Sequence, residues 1–384
     1  MAQTSIPAVF VRGGTSKGLI FDAADLPDDG AARDRILLDA LGSPDPYGRQ
    51  IDGLGGASSS TSKAAIVSRS ARPDCDVDYL VGQVEIREPI VDYSSNCGNL
   101  SSAIGPYAID HGLVAATGDL TEVRIWQVNT GRRIVARVPT KDGRPVEAGD
   151  YEIDGVARPG ARIDLRFFDP AGSSTGKLLP TGNLRDELVI PGRGALEVSI
   201  VDASLTVVFV RAADLGLTAT ELKPQIDSDP GVLRTLEAIR GQAAVTLGVV
   251  ADASRAVKVS PALPKVAFVA PPRGYVAASG RAVDAGRVDL NARIMSMGAL
   301  HHAYEVTGAI ATAVAAALPG TVVADVCALG GGFEKEVRIG HTSGTIAVGV
   351  SLEAGTDGLT VRSASLGRTT RVIMRGSVLV PGHA

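Results

Sequence analysis

Two similar α+β lobes, each a set of strands around one buried helix, are the fold this 384-residue sequence predicts. Three observations point to it. Strand-like runs with period-two alternation or short apolar blocks dominate the chain. Three long helical patterns interrupt them, at 98–112, 230–247 and 298–318, and the last is so rich in Ala that it predicts a central helix covered by sheet. Finally, Asn96-Cys97-Gly98 leads into the first helix and Ser296-Met297-Gly298 into the third, an internal echo that places one buried helix in each half. The cleft between two such lobes is the natural ligand site.

The elements follow in order. Residues 8–11 and 18–21 read as strands around the loop Arg12-Gly13-Gly14-Thr15-Ser16-Lys17. Residues 31–41 form an amphipathic helix with apolar Ile36, Leu37, Ala40 and Leu41, stopped by Gly42-Ser43-Pro44-Asp45-Pro46. A Gly/Ser loop runs over 53–62 before a strand at 64–67, and 76–86 alternates in part. Residues 122–128 and 133–138 make a hairpin around Asn129-Thr130-Gly131. Further strands lie at 162–168, 195–201, 205–210, 345–352, 359–364 and 371–380.

Composition narrows the class. The chain holds 45 Gly and 21 Pro but only 7 Phe, 7 Tyr and 1 Trp, so turns are many and the core is built of small aliphatics. With 45% hydrophobic and 21% charged residues it is globular, not disordered. A net charge of −4 with no basic cluster argues against a nucleic-acid partner. The most apolar stretch, 307–318, is too short for a bilayer span, so no membrane partner is expected. The N-terminus lacks the basic and apolar regions of a signal peptide. Cys75, Cys97 and Cys327 are few, odd in number and widely spaced, which fits a reducing, cytoplasmic setting and no metal ribbon.

Three constellations suit anion chemistry. Asn96-Cys97-Gly98-Asn99 opens a helix, where free N–H groups and the helix dipole would stabilise a thiolate or a substrate carboxylate. The same Cys97 also fits as an inert small residue capped by Asn96. Ala57-Ser58-Ser59-Ser60-Thr61-Ser62-Lys63 offers backbone and hydroxyl donors, with Lys63 at the loop–strand junction placed to act as a base beside other cations; a flexible surface loop with a solvated Lys is the plainer alternative. Arg12-Gly13-Gly14-Thr15-Ser16-Lys17-Gly18 brings two cations near exposed amides but lacks the order of a P-loop.

Other motifs carry less. Gly172-Ser173-Ser174-Thr175-Gly176 matches a nucleophile elbow around Ser174, yet Pro180 and Gly182 leave no room for the required helix. His301 and His302, expected on the third helix, point about 100° apart there, so a pocket-lining or helix-capping role is preferred to metal ligation. Cys75 and Cys327 read as structural. Taken together, a helix-terminal Cys and a Lys among anion-friendly loops suggest acid–base chemistry on a polycarboxylate, while a noncatalytic carboxylate-binding protein would use the same loops.

These blocks resemble the PrpF family, within the diaminopimelate-epimerase-like fold. The opening loop 12–18, the stretch Gly42-Ser43-Pro44-Asp45-Pro46-Tyr47-Gly48-Arg49-Gln50-Ile51-Asp52-Gly53 and the Gly/Ser loop ending in Thr61-Ser62-Lys63 match in order. So do Asn96-Cys97-Gly98-Asn99-Leu100 with Gly105-Pro106, Pro180-Thr181-Gly182-Asn183, Ser296-Met297-Gly298 with His301-His302-Ala303, Gly340-His341 with Ser343-Gly344, and 371–376. The resemblance implies an α+β fold of two similar lobes, each with a mixed or antiparallel sheet wrapped around a central helix. The first lobe would take 1–186 plus about 370–384, the second 187–369, with the active site in the cleft between them.

The resemblance also implies a cofactor-independent, metal-free isomerase of unsaturated di- and tricarboxylates. Family members include 2-methylaconitate isomerase, 4-oxalomesaconate tautomerase and methylitaconate isomerase, and the Ser-rich run before Thr61-Ser62-Lys63 is closer to the methylaconitate type. Lys63 and Cys97 would be the proton-transfer groups. Substrate would be bound by Arg12, Thr15, Ser16, Lys17, Ser58, Ser59, Ser60, Thr61, Ser62, Asn96, Gly98, Asn99, Ser296, Met297, Gly298 and His301. The epimerases' second Cys is replaced by the Ser296-Met297 region, which fits one Cys plus one Lys. Glu305 is a departure, since on a pocket face it would oppose a polyanion. A homodimer is the default for such folds.

Overall fold

A computed structural model describes residues 3–327, 329–355 and 358–382. The chain divides into two compact units, Met1–Arg166 with Gly367–Ala384, and Phe167–Leu366. Residues 167–186, grouped with the first lobe on sequence, therefore belong to the second unit.

The first unit is a large mixed sheet. Strand Thr370–Pro381 pairs antiparallel with Gln3–Gly13, which pairs antiparallel with Ser16–Asp22. The sheet continues parallel to Lys63–Arg69, antiparallel to Val77–Val84, parallel to Leu120–Gln127 and antiparallel to Arg132–Lys141. Each parallel step needs a crossover, and each crossover carries a helix. Gly30–Leu41 serves the first; Asp29 caps its start by accepting from the Ala32 amide, and Gly42 ends it at φ 75°. Ser101–Asp110 serves the second, with nine of its ten residues buried. Ile6, Leu19, Phe21, Leu37, Leu41 and Val380 share one core, so the C-terminal strand completes the N-terminal unit.

The second unit repeats that order of directions. Strands Asp186–Ile190, Gly194–Asp202 and Thr206–Arg211 are antiparallel. A parallel step leads to Lys265–Ala270, an antiparallel one to Leu290–Ser296, a parallel one to Glu334–His341, and antiparallel ones to Gly344–Gly355 and Gly358–Arg368. Helix Pro230–Thr246 serves the first crossover and Val306–Ala317 the second. All twelve residues of Val306–Ala317 are buried, which explains its Ala content: only small side chains fit where sheet strands approach the helix closely.

The third long helix is shorter than its sequence pattern. It begins at Val306, not at residue 298, so His301 and His302 precede it. Sheet pairing wins over helical pattern here: Ser296 pairs with Ala299 across a two-residue turn, and Ala299–Leu300 forms a short strand. Likewise the first long helix begins at Ser101, leaving Cys97–Asn99 as its lead-in turn. No helix among the described residues is long and apolar enough to cross a membrane.

Candidate active site

The loop 12–18 is the hairpin between the first two strands, with Gly13 paired to Ser16. Its glycines are set by what lies against them. A Cβ on Gly13 would fall 2.8 Å from the Asn99 carbonyl oxygen, and one on Gly14, at φ +53°, 2.2 Å from Asn99 Oδ1. The hairpin thus packs backbone to backbone on the lead-in of helix Ser101–Asp110, and Asn99 Oδ1 accepts from the Thr15 amide at 3.3 Å.

Cys97 sits in that contact, 9% exposed. Its Sγ lies 3.9 Å from Ser16 Oγ, and the Leu100 amide donates to it at 3.4 Å. Its carbonyl accepts from the Ser101 amide at 3.0 Å and from the buried Tyr79 hydroxyl at 3.3 Å. Burial raises the Tyr79 pKa well above its ordinary value, so this hydroxyl keeps its proton as a donor. Asn96 is buried, and its Oδ1 accepts from Ser101 Oγ at 3.5 Å. Burial raises the Cys75 thiol and pushes Cys327 up to about 12, so both keep their protons at neutral pH.

Lys63 opens its strand directly opposite Gln83, and its Nζ donates to Gln83 Oε1. The Gln83 amide donates to the Ser62 carbonyl at 2.9 Å, which fixes the amide orientation toward Lys63. Gly18 lies beside Lys63 on the neighbouring strand, where a Cβ would be 2.5 Å from the Lys63 carbonyl oxygen. The Ser loop is ordered, not a flexible surface segment. Ser58 Oγ bonds Thr61 Oγ1 at 2.7 Å and Ser60 Oγ at 3.0 Å, and the Lys17 amide donates to the Ser60 carbonyl at 2.9 Å. Ser59 is half-buried within the same loop.

Gln50, which the sequence did not mark as functional, holds this loop. It is 1% exposed, and its Nε2 donates to Ser62 Oγ at 2.7 Å and Ser43 Oγ at 2.9 Å while Oε1 accepts from the Ala57 amide at 2.9 Å. Asp45 in turn accepts from the Tyr47, Arg49 and Gln50 amides, which lowers its pKa. A Gln just before the Gly/Ser loop is the signal the sequence offers, and its burial is not legible there; nor is the register that pairs Gln83 with Lys63.

A cavity of about 750 Å³ opens on the first unit, within the size range of small-molecule sites. Arg12, Thr15, Ser16, Lys17 and Thr61 line it together with Arg158, Arg371 and Glu147. Four cations therefore face one carboxylate, a field that selects anions. Arg12 is anchored by donating to the carbonyls of Gly14 and Thr369, and burial with the nearby Arg371 charge lowers its pKa. Thr15 Oγ1 is buried with no protein partner among the described residues. Lys63 and Cys97 are not lining residues; Cys97 reaches the cavity wall through Ser16.

Ser296, Met297, Gly298 and His301 form a separate group in the second unit. Met297 and Gly298 have φ of 53° and 76° between paired Ser296 and Ala299, the pattern of a type I′ hairpin. Lys265 Nζ lies 3.3 Å from Ser296 Oγ and 3.2 Å from Glu305 Oε1. Glu305 is thus ion-paired, so it is not an uncompensated charge against a polyanion. His301 is buried, accepts the Ala303 amide on Nδ1 at 3.1 Å, and burial pushes its pKa down to about 3, so it is neutral. Among the described residues no three His, Cys, Asp or Glu side chains group as a metal site.

The Gly172–Gly176 loop encloses the buried Asp202 carboxylate, which accepts from Ser173 Oγ, the amides of Ser174 and Thr175, and Thr175 Oγ1. Ser174 itself is exposed, and no helix follows. The motif is a structural clasp, not a nucleophile elbow.

Known structures place this architecture among the diaminopimelate-epimerase-like folds. It is similar to a crystal structure of methylitaconate-delta-isomerase at TM-score 0.81 and 42% identity, covering 100% of this chain and 99% of that one. A hydroxyproline epimerase from Agrobacterium vitis shares the fold at TM-score 0.56 and 12% identity, with 98% and 92% covered. The chain belongs to the PrpF family, whose model, described as PrpF protein, matches residues 3–381. It is an isomerase of that family acting on C=C bonds. Among its relatives are a 2-methyl-aconitate isomerase from Cupriavidus necator, 47% identical over 100% of this chain and 98% of the relative. A 3-methylitaconate isomerase from Eubacterium barkeri is 44% identical, and a 4-oxalomesaconate tautomerase from Pseudomonas putida 41%, covering 98% and 99% of this chain and 98% and 97% of the relatives.

Proposed function

We propose that the protein isomerises an unsaturated tricarboxylate, with 2-methylaconitate as its substrate, by proton transfer between Lys63, Cys97 and the substrate, without metal or organic cofactor. The observation that carries this reading is the anion-selective cavity lined by Arg12, Lys17, Arg158 and Arg371, next to a thiol held at a helix start. The greater identity to the methylaconitate isomerase than to the methylitaconate and oxalomesaconate enzymes supports the choice of substrate.

In this mechanism carboxylates bind to Arg12 and Lys17, to the Ser58–Ser62 loop and to the Asn96–Asn99 turn. Lys63, oriented by Gln83, takes a proton from the carbon next to the double bond. The C–H electron pair passes into a dienolate that extends into a carboxylate, and oriented N–H donors stabilise that charge. Return of a proton at the far carbon shifts the double bond; return at the original carbon after rotation exchanges cis for trans. Cys97 is the partner acid.

Incubation with 2-methylaconitate, trans-aconitate and oxalomesaconate, followed through the vinyl protons by NMR, tests the reading. Fastest turnover of 2-methylaconitate is expected. Binding of these acids with no proton exchange in any of them would instead identify a carboxylate-binding protein.

A further inference from the structure

Three cations stand side by side across three neighbouring strands of the first unit. Arg12 is directly opposite Lys17 in strand Ser16–Asp22 and directly opposite Arg371 in strand Thr370–Pro381. Directly opposed residues share one face of a sheet, and all three of these line the cavity of about 750 Å³. The Lys17 ammonium, 5.3 Å from the centroid of the Phe10 ring, marks that face, because Phe10 precedes Arg12 by two residues. Ser16, next to Lys17 in its strand, points to the other face, where its Oγ meets Cys97. Ser16 and Lys17 both line the cavity, which therefore turns around the end of the hairpin.

Folding does not account for this row. Like charges directly opposite one another destabilise a sheet, and burial together with the facing Arg371 charge lowers the Arg12 pKa. Glu147 is the carboxylate among the lining residues, and its Oε1 accepts from the Val372 amide at 3.0 Å. Its carbonyl accepts from the Ala161 amide at 2.9 Å, and Tyr151 and Gly160 exchange backbone hydrogen bonds at 3.1 Å, so residues 147–161 form a loop closed on itself. This loop carries Arg158 to the cavity as a fourth cation. Among the described residues neither the Arg158 nor the Arg371 guanidinium has a hydrogen-bond acceptor or an ion-pair partner.

We propose that Arg371 and Arg158 are specificity-determining residues, which complete with Arg12 and Lys17 a subsite for the substrate carboxylates remote from the reacting carbon and so select tricarboxylates over dicarboxylates. The row is two strand spacings wide, about 9–10 Å, so one carboxylate cannot neutralise it and a polycarboxylate can. It lies on the sheet face away from Cys97, which leaves proton transfer to the Ser16 side of the hairpin end. A guanidinium offers a carboxylate two parallel donors, the geometry that favours an ionised carboxylate over an ester or amide at this place. The inference rests on the reading of this cavity as the substrate site.

Steady-state kinetics with 2-methylaconitate, a tricarboxylate, and methylitaconate, a dicarboxylate, test it on wild type, Arg158→Gln, Arg371→Gln and the double variant. Calorimetric binding of the unreactive acids tricarballylate and glutarate at one ionic strength accompanies them. Each single variant is expected to lower the ratio of kcat/KM for the tricarboxylate over that for the dicarboxylate about tenfold. Tricarballylate should bind wild type at least about tenfold more tightly than glutarate, and the double variant should lose that advantage. Arg371→Gln should not lower Tm, because it relieves the like-charge contact with Arg12. A ratio within about twofold of wild type in either single variant, or a tricarballylate preference that survives in the double variant, overturns the proposal. A lowered Tm in Arg371→Gln with the preference intact gives Arg371 a structural role and overturns it too. Turnover of neither acid by wild type defeats the substrate reading on its own; there, and where only one acid reacts, the binding preference and its loss in the double variant decide the subsite.

Discussion

Substituting Gly14 by Ala would test how the hairpin and the helix lead-in build the site. Gly14 has φ +53°, and its Cβ would stand 2.2 Å from Asn99 Oδ1, 2.9 Å from Cγ and 3.1 Å from Cβ. A left-handed backbone costs an L-residue about 1–2 kcal/mol. Asn99 is 3% exposed and cannot swing into solvent, so the clash adds a further overpacking cost of about 1–3 kcal/mol. The sum is roughly 2–5 kcal/mol, and Thr15 loses its bond to Asn99 Oδ1. Gly176→Ala is the control: its φ is +82° but nothing lies within 4 Å of the added carbon, so only the backbone cost of about 1–2 kcal/mol applies. Urea unfolding followed by circular dichroism measures both, and kcat/KM of Gly14→Ala should fall at least about tenfold because the Cys97 turn moves with Asn99. Equal stability losses in the two variants, with kcat/KM unchanged in Gly14→Ala, would refute this account of the packing.

Other outcomes follow from the same contacts. His301 is neutral in the folded chain, pushed down to about 3, whereas an unfolded His titrates near 6.5. The unfolded chain therefore takes up the proton first, and stability falls as pH drops below about 6.5 by up to about 1.4 kcal/mol per pH unit. Thermal melts at pH 7, 6 and 5 should show this slope reduced in His301→Gln. Asp202→Ala leaves the Gly172–Gly176 loop donors without their acceptor and should cost about 2–5 kcal/mol, while Ser174→Ala should leave turnover unchanged, both read by urea melts and NMR assay.

Much of this arrangement is legible in the sequence because it is local. The Gly13-Gly14 hairpin, the Ser-rich loop ending at Lys63 and the Cys97 turn are each specified by neighbouring residues with distinctive chemistry. The Ala content of 306–317 foretells full burial. What escapes is set by pairing at a distance. Gln83 becomes the partner of Lys63 only through strand register, and Lys265 meets Ser296 for the same reason. His301 and His302 fit a helical pattern until the turn at Met297-Gly298 commits Ala299–Leu300 to a strand, which delays the helix to Val306. Arg158 and Arg371 join Arg12 at one cavity from separate parts of the chain, and nothing near either marks it as a ligand group. The excess of glycine has a physical sense at Gly14, where a side chain would displace Asn99.

Solvent deuterium incorporation into 2-methylaconitate by Lys63→Met tests the central claim most directly, alongside wild type and Cys97→Ser. Wild type should incorporate deuterium, Cys97→Ser should do so far more slowly, and a folded Lys63→Met should show none. Undiminished incorporation by folded Lys63→Met would contradict the assignment of Lys63 as the base.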